Sequence, residues 1–281
     1  MGHPTFSIVI PTCNRNDLLV LCLDKLAPTF QTLPPEKYET IVTDDGKNVS
    51  AEELIRQHYP WVKWVKGPQK GPASNRNKGA KEAKGEWLVF IDDDCLPEPN
   101  VLEAYNNAIA EHPQSLAFEG AILPDNKELL KDEMAECPVN ESGNCFWSAN
   151  ICIQRAYFES INGFDEHFLI AAQEDQDLYL RLKQHTVIPF VPSSKVVHPV
   201  RYITLKKKLK GMKIKYANWI YFMKKHDSKD IRFHFAKGIK DYLRLSVQHL
   251  VRFKFRLAFY YLLNAAYNLY LSLFYSSKPT V

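Results

Sequence analysis

Through most of the chain, short β-branched apolar runs alternate with segments whose apolar residues recur at helical spacing. Thr5–Ile10 predicts a strand closed by Pro11-Thr12. Leu18, Leu19, Leu21, Cys22 and Leu26 predict a helix ending at Leu26, capped by Asn16 or Asp17. Pro28 and the Pro34-Pro35 pair break the chain before a strand over Tyr38–Thr43, which ends in Asp44-Asp45-Gly46. Ser50 is placed to cap a helix over Ala51–His58, and Val62–Val65 predicts a third strand. A polar stretch over 67–77 and a short helix to Lys84 precede Leu88–Ile91, an apolar run that leads directly into Asp92-Asp93-Asp94. After Pro97 and Pro99 the pattern predicts a helix over Val101–Glu111, a strand over Leu116–Leu123 and an irregular, acidic loop over 124–144 near the strand ends. Phe146–Ile153 is a strand-like run interrupted by Ser148, Ala149 and Asn150. A helix opens at Glu174, with Leu178, Leu180 and Leu182 as its apolar positions. Val187–Phe190 and Lys195–Val197 predict two late strands, the second followed at once by His198.

Strand–helix–strand alternation of this kind predicts a mostly parallel α/β sheet flanked by helices, whose ligand lies beyond the carboxyl ends of the strands. Pro11-Thr12, Asp44-Asp45 and Asp92–Asp94 all fall at such ends and should converge on one crevice. Three adjacent carboxylates after a buried strand repel one another unless a cation neutralises them. A hard divalent ion, Mg²⁺ or Mn²⁺, takes such oxygen ligands and leaves room for substrate phosphates. Neither GxGxxG nor GxxxxGK[ST] is present, which argues against a dinucleotide oxidoreductase or a P-loop kinase. Phosphate charge would instead meet side chains such as Lys70, Arg76 and Lys78, of which Lys78 suits a solvated helix face. Several positions stay open on the residues alone. Asn150 is a satisfied core amide or a substrate contact. The carboxylates Glu174, Asp175 and Asp177 either complement a helix dipole or supply a general base. His198 is structural or a metal ligand.

Charge divides the chain. Residues 195–281 carry 19 Lys+Arg against 3 Asp+Glu, whereas 1–194 carry 17 against 29, within a net charge of +4 over 281 residues. A catalytic domain over 1–203 and a helical, basic and aromatic region over 204–281 follow. In the latter, Lys206, Lys207, Lys208, Lys210, Lys213 and Lys215 precede Trp219, Tyr221 and Phe222, and Leu257–Tyr275 is almost long enough to span a bilayer. Asn264, Asn268 and the tyrosines favour a helix lying in the interface of an anionic membrane surface. No nucleic-acid-binding motif accompanies the charge. The 6 cysteines form no CxxC pair, which argues against a zinc ribbon and fits a reducing compartment. The Met1-Gly2-His3-Pro4 start leads into a strand, so no signal peptide is expected.

The segments SIVIPTCNR (7–15), VTDDGKN (42–48), GPASNRNKG (71–79), LVFIDDDCLP (88–97), INGFDEHF (161–168) and QEDQDLYLRL (173–182) together resemble the family 2 glycosyltransferases of GT-A fold, over residues 5–200. The resemblance implies an inverting, metal-dependent transferase. It would move a sugar from a nucleotide-diphosphate donor, usually a UDP-sugar, to an acceptor hydroxyl in glycan or polysaccharide biosynthesis. Pro11 and Thr12 would border the nucleobase with Asn14 and Arg15 nearby. Asp45, with Asp44, would hold the uracil or ribose, and Arg76 would lie against the nucleotide. Asp92 and Asp94 match the DxD motif, with Asp93 between them on the donor side. Asp92, Asp94 and His198 would hold Mn²⁺ or Mg²⁺. Asp175 matches the acidic residue of the ED motif, the catalytic base, and Trp147, Asn150 and Glu174 fall on the acceptor side. The acceptor would be a glycan or lipid-linked, the enzyme cytoplasmic and peripheral on the cytoplasmic face of a membrane. Two departures touch donor and acceptor details: Asn75 stands where the family usually has a small residue, and Ala171-Ala172-Gln173 replaces the common glycines. A sugar nucleotidyltransferase and a catalytically dead membrane-bound scaffold are the competing readings.

Overall fold

The computed structural model describes residues 4–226 and 231–275. Contacts divide them into two compact units, one within Met1–Lys127 and Cys137–Val200, the other within Glu128–Glu136 and Arg201–Val281.

The first unit opens with β1 (Phe6–Thr12), α1 (Asn16–Leu26), β2 (Tyr38–Asp44), α2 (Glu52–His58), β3 (Val62–Lys66), α3 (Pro72–Lys81) and β4 (Trp87–Ile91). It continues with β5 (Leu96–Pro97), α4 (Val101–Glu111) and β6 (Ala117–Pro124). The second unit contributes β7 (Ala135–Glu136), after which β8 (Asn150–Gln154), α5 (Arg155–Ser160), α6 (Glu174–Leu182) and β9 (Phe190–His198) complete the first. The sheet runs β3-β2-β1-β4-β8-β6-β9-β5. Its first four strands are parallel, β8 is antiparallel to both β4 and β6, and β6 and β9 are again parallel.

Strands buried on both faces read as unbroken apolar runs, which is why Ile8–Ile10 and Leu88–Ile91 show no polar alternation. Their side chains nonetheless alternate between two cores. Ile8, Ile10, Val89 and Ile91 pack with α1 and α4 through Leu19, Leu23, Leu102 and Tyr105. Val9, Leu88 and Phe90 face α3, α5 and α6 through Ala73, Phe158, Leu178 and Leu182. Each such buried side chain contributes about 1.5–3 kcal/mol. α3 lies hard against β1: a Cβ on Gly79 would stand 2.4 Å from Val9 Cγ1, so only glycine admits this approach.

Local structure departs from the sequence pattern in several places. The α1 cap position is Arg15 rather than Asn16 or Asp17, with no side-chain cap. The α2 cap position is Ala51 rather than Ser50, although Ser50 Oγ accepts the Glu52 N–H at 3.1 Å just ahead of the helix. The run from Phe146 becomes a strand only at Asn150, because Phe146 takes φ +46°, which no strand accommodates. The two expected late strands are one, Phe190–His198, bulged where the register shifts opposite Gly120 and Ala121, with Val187 77% exposed outside it. The irregular loop 124–144 is divided, Glu128–Glu136 joining the second unit.

Asn150 is corrected from the acceptor side to the core. Its Nδ2 donates to the Ala121 and Ser194 carbonyls at 3.0 and 2.9 Å, and its Oδ1 accepts from Tyr105 Oη at 2.9 Å. The amide joins β8, β6, β9 and α4 from inside the protein.

In the second unit β7 pairs with β10 (Arg201–Tyr202), and three helices follow: α7 (Leu205–His226), α8 (Ile231–Val251) and α9 (Phe255–Phe274). Phe235 and Leu271 pack with Trp219, Ile220 and Met223. Asn264 and Asn268, expected to favour an interfacial position for this helix, are buried instead. Tyr216 Oη donates to Asn264 Oδ1 at 3.2 Å and accepts from Asn268 Nδ2 at 2.5 Å. Among the described residues, no helix is long and apolar enough to cross a membrane.

Replacing Asn150 with Ala removes the side-chain donor from the buried Ala121 and Ser194 carbonyls and one acceptor from the Tyr105 hydroxyl. Asn150→Ala should therefore lower the unfolding free energy by about 2–4 kcal/mol, read from urea denaturation.

Candidate active site

β1, β2 and β4 end at the same edge of the sheet. Pairing between β1 and β4 stops at Val9 and Phe90, so the two strands part before Pro11, which has no N–H to offer a ladder. Side chains and turns close the gap. Thr12 Oγ1 donates to Asp93 Oδ2 at 2.7 Å, and the Asp45 N–H donates to the Thr12 carbonyl at 2.9 Å. Asn75 Nδ2 donates to the carbonyls of Thr12 and Thr43 at 3.3 and 3.0 Å. The three polar clusters thus meet in one place.

Each carboxylate of Asp92–Asp94 has a cation supplied by the chain itself. Arg15 pairs with Asp93, its Nε 3.1 Å from Oδ2, and its Nη1 lies 3.1 Å from Asp94 Oδ2. Burial nevertheless lifts the Asp93 pKa to about 7 against the pull of Arg15. Arg76, buried in the middle of α3 and over the Phe164 ring, donates from Nη2 to Asp92 Oδ1 at 2.7 Å and from Nη1 to Glu174 Oε1 at 3.2 Å. One guanidinium therefore ties the end of β4 to the start of α6, where Asp175 follows Glu174. Burial raises the pKa of both acids. Asp175 reaches about 7, the neighbouring Glu174 adding to burial, while Arg76 opposes the rise at Glu174. A carboxylate that exchanges its proton near neutrality is poised for general-base work.

His198, buried at the end of β9, faces Asp94: Nε2 lies 3.3 Å from Oδ1. Its Nδ1 meets the Pro199 carbonyl at 2.9 Å, and a carbonyl can only accept, so Nδ1 carries a proton. Nε2 and the carboxylate then face each other across a place that requires positive charge. Burial pulls the His198 pKa down, but Asp94 and Cys137 outweigh it and hold it at about 10. This oxygen–nitrogen pair fits a divalent cation as well as a proton, with the carbonyl orienting the ring from behind. Cys95 lies within ligand distance of the pair, but its thiol is driven well above its ordinary pKa by burial and does not suit a hard ion.

Other expected site residues take supporting positions. Asn14 Oδ1 accepts from the Asn48 and Val49 N–H groups, each at 3.0 Å, and organises the loop after β2. Asp44 is spent on that same loop, accepting from the Gly46 and Ala51 N–H groups at 2.8 and 2.7 Å and from Ser50 Oγ at 3.1 Å. Asp93 lies beneath the crevice rather than on its surface, and Arg76 is a buried brace. Asp45 holds the Gln69 N–H at 2.8 Å, and burial raises its pKa. Trp147 packs half-buried against the core beside Phe146. Lys78 is paired along its helix with Glu82 at 2.7 Å.

Glu119 was not singled out by the sequence. Its carboxylate collects the N–H groups of Asn144, Cys145 and Phe146 at 2.5, 3.1 and 2.8 Å and so shapes the approach to Trp147. The available signal was a carboxylate inside the apolar strand run AFEGAIL. Gln176 fastens the same loop to α6, its Nε2 donating to the Cys145 carbonyl at 2.6 Å.

A parallel α/β sheet whose strands end in counter-charged carboxylates, facing a helix that begins with a titratable acid pair, defines a Rossmann-like enzyme with its site at the strand ends. The chain belongs to glycosyl transferase family 2, which matches residues 7–174. It is 28% identical over 223 residues to a validoxylamine A glucosyltransferase of Streptomyces hygroscopicus subsp. limoneus, covering 66% of this chain and 49% of that one. It is 38% identical over 106 residues to a poly(ribitol-phosphate) beta-glucosyltransferase of Bacillus spizizenii, covering 36% and 16%. The chain spans about half the length, or less, of these curated relatives. Among solved structures, S. aureus TarS 1-349 in complex with UDP superimposes with a TM-score of 0.59 at 18% identity, covering 95% of this chain and 90% of that one. TarS 1-349 in complex with UDP-GlcNAc does so with 0.59 at 18%, covering 75% and 65%. These neighbours establish the GT-A fold.

Arg76→Met would leave Asp92 and Glu174 as uncompensated acids in a buried setting. It should lower the unfolding free energy by about 3–5 kcal/mol in chemical denaturation.

Proposed function

We propose that the chain transfers a sugar from a nucleotide-diphosphate donor, in the expected case a UDP-sugar, to an acceptor hydroxyl on a glycan or lipid-linked molecule, with inversion. The observation that carries this reading is the Arg76 brace, which brings the helix start bearing Asp175 to the end of β4 bearing Asp92. The relatives named as glucosyltransferases and the UDP and UDP-GlcNAc complexes of TarS support a nucleotide-sugar donor.

On this reading Pro11, Thr12 and Asp45 border the nucleoside. Arg15 stays at the wall beside Asp93 and Asp94. Asp92, Asp94 and His198 hold Mn²⁺ or Mg²⁺, which when bound stabilises negative charge on the leaving diphosphate. Asp175 takes the proton of the acceptor hydroxyl. The acceptor oxygen bonds to the anomeric carbon as the bond to the diphosphate oxygen breaks, and attack from the opposite face inverts the centre. Trp147 and Glu174 lie on the acceptor side, where Glu174 positions Asp175 through Arg76. The basic helical unit attaches the enzyme peripherally to an anionic membrane surface on the cytoplasmic side.

Asp175→Asn should reduce transfer by about 10²–10⁴-fold while the UDP dissociation constant measured by calorimetry is unchanged. Transfer at the native rate would remove Asp175 from the role. Release of UDP rather than pyrophosphate separates this reading from a nucleotidyltransferase.

The native pH profile follows from the sign of the Asp175 shift. The base works deprotonated, so kcat/KM should be low in acid, rise through about pH 7 and level above it. Asp175→Glu should move that inflection, and an inflection that stays in place would assign it to another group.

A further inference from the structure

We propose that the turn joining α8 to α9, together with the outer face of α9, is the edge that docks on an anionic phospholipid bilayer, with an adjoining basic cavity receiving a lipid phosphate. The proposal rests on the membrane-surface reading above and gives it residues. Along α9, Phe255, Phe259, Leu262, Ala266, Leu269 and Leu273 follow one another in alternating steps of four and three, which lays them in one stripe. All are exposed, Phe255 by 60% and Leu273 by 65%. The side of the helix turned inward carries Asn264 and Asn268, both buried. α9 therefore hides its amides and presents its apolar residues, the reverse of a helix made for water. No Asp, Glu, Lys or Arg occurs over Leu257–Tyr275.

The stripe starts at Val251-Arg252-Phe253-Lys254-Phe255-Arg256, where apolar and cationic residues alternate; Val251 is 72% and Phe253 80% exposed. Aromatic side chains beside cations suit the level of lipid headgroups. Next to this turn lies a cavity of about 810 Å³, lined by Lys131, Lys206, Lys254 and Arg256 against Asp132 and Glu133. Lys131 pairs with Glu128, and the remaining Lys206, Lys254 and Arg256 outnumber Asp132 and Glu133, so the lining keeps a positive balance suited to a phosphate.

Charge selects the occupant. Residues 195–281 hold 19 Lys+Arg against 3 Asp+Glu, so a second copy pairing through this same face would bring like charge to it, whereas an anionic bilayer is attracted. Among the described residues no helix can cross a bilayer, so the contact lies in its plane.

The test is co-flotation of the full chain with vesicles. Phosphatidylcholine mixed with phosphatidylglycerol should carry the protein up, and phosphatidylcholine alone should not. Lys254→Ala with Arg256→Ala should weaken partitioning about 30-fold, as expected for two surface cations. Phe255→Ser with Phe259→Ser, both exposed, should weaken it while the calorimetric UDP affinity stays at the native value. Loss of UDP binding by the native chain would instead strike the transferase reading and leave this one standing. Equal flotation on neutral vesicles, unchanged flotation of both variants, or lipid-free dimerisation abolished by the serine pair would overturn the docking edge.

Discussion

The guanidinium of Arg76 is the constraint on which the site depends. Burying an ion of this size costs several kcal/mol, and the cost is offset only where well-placed acids surround it. Asp92 comes from the end of β4 and Glu174 from the start of α6, so the two elements cannot drift apart without stranding a charge. The planar fork matters as much as the charge. Nη1 and Nη2 each address one carboxylate, a division that a lysine ammonium cannot make in a fixed geometry. Glu174 is held, and Asp175 inherits its position from its neighbour.

The same logic answers the repulsion within Asp92-Asp93-Asp94. The sequence poses it as a problem for a metal ion, yet the chain brings Arg76, Arg15 and His198 to the three acids. The division of labour is uneven. Asp93 is sealed beneath the strand ends with Thr12 and Arg15, while Asp94 shares its oxygens between Arg15 and His198. A divalent ion at Asp94 and His198 would thus displace a proton from an existing pair rather than enter a bare acidic cage, and its binding would fall as pH falls.

The strand–helix order, the shared edge of β1, β2 and β4 and even the bounds of Val101–Glu111 were legible, because buried parallel strands write themselves as unbroken apolar runs and amphipathic helices as periodic ones. What escaped depends on direction. An asparagine within an apolar run looks the same whether it faces a crevice or three partners inside the protein, and Asn150 proved to be the latter. Asp44 and Asn14 carry the right chemistry for a ligand but spend it on the backbone of one loop, which requires the loop's fold to be known. Asn264 and Asn268 mislead in the same way: they lower the mean apolarity of α9 although both are buried and the exposed stripe from Phe255 to Leu273 is apolar.

Asn75 shows how a departure from the family pattern can be absorbed locally. Its amide crosses from β1 to β2, donating to both the Thr12 and Thr43 carbonyls at the end of the β1–β2 ladder. The larger side chain needs room, and Gly67 leaves it. A Cβ at that position would stand 2.5 Å from Asn75 Oδ1 and 2.2 Å from Asp45 Oδ1. Asn75, Gly67 and Asp45 therefore form one packed unit in which each residue's size presupposes the others. A small residue at 75 would remove the second donor from the Thr12 carbonyl, which already accepts the Asp45 N–H at 2.9 Å, and the side-chain donor from the Thr43 carbonyl. The rim beside Asp45 is consequently built from fixed amide contacts rather than solvent, which narrows the conformations the loop after β2 can take around anything bound there.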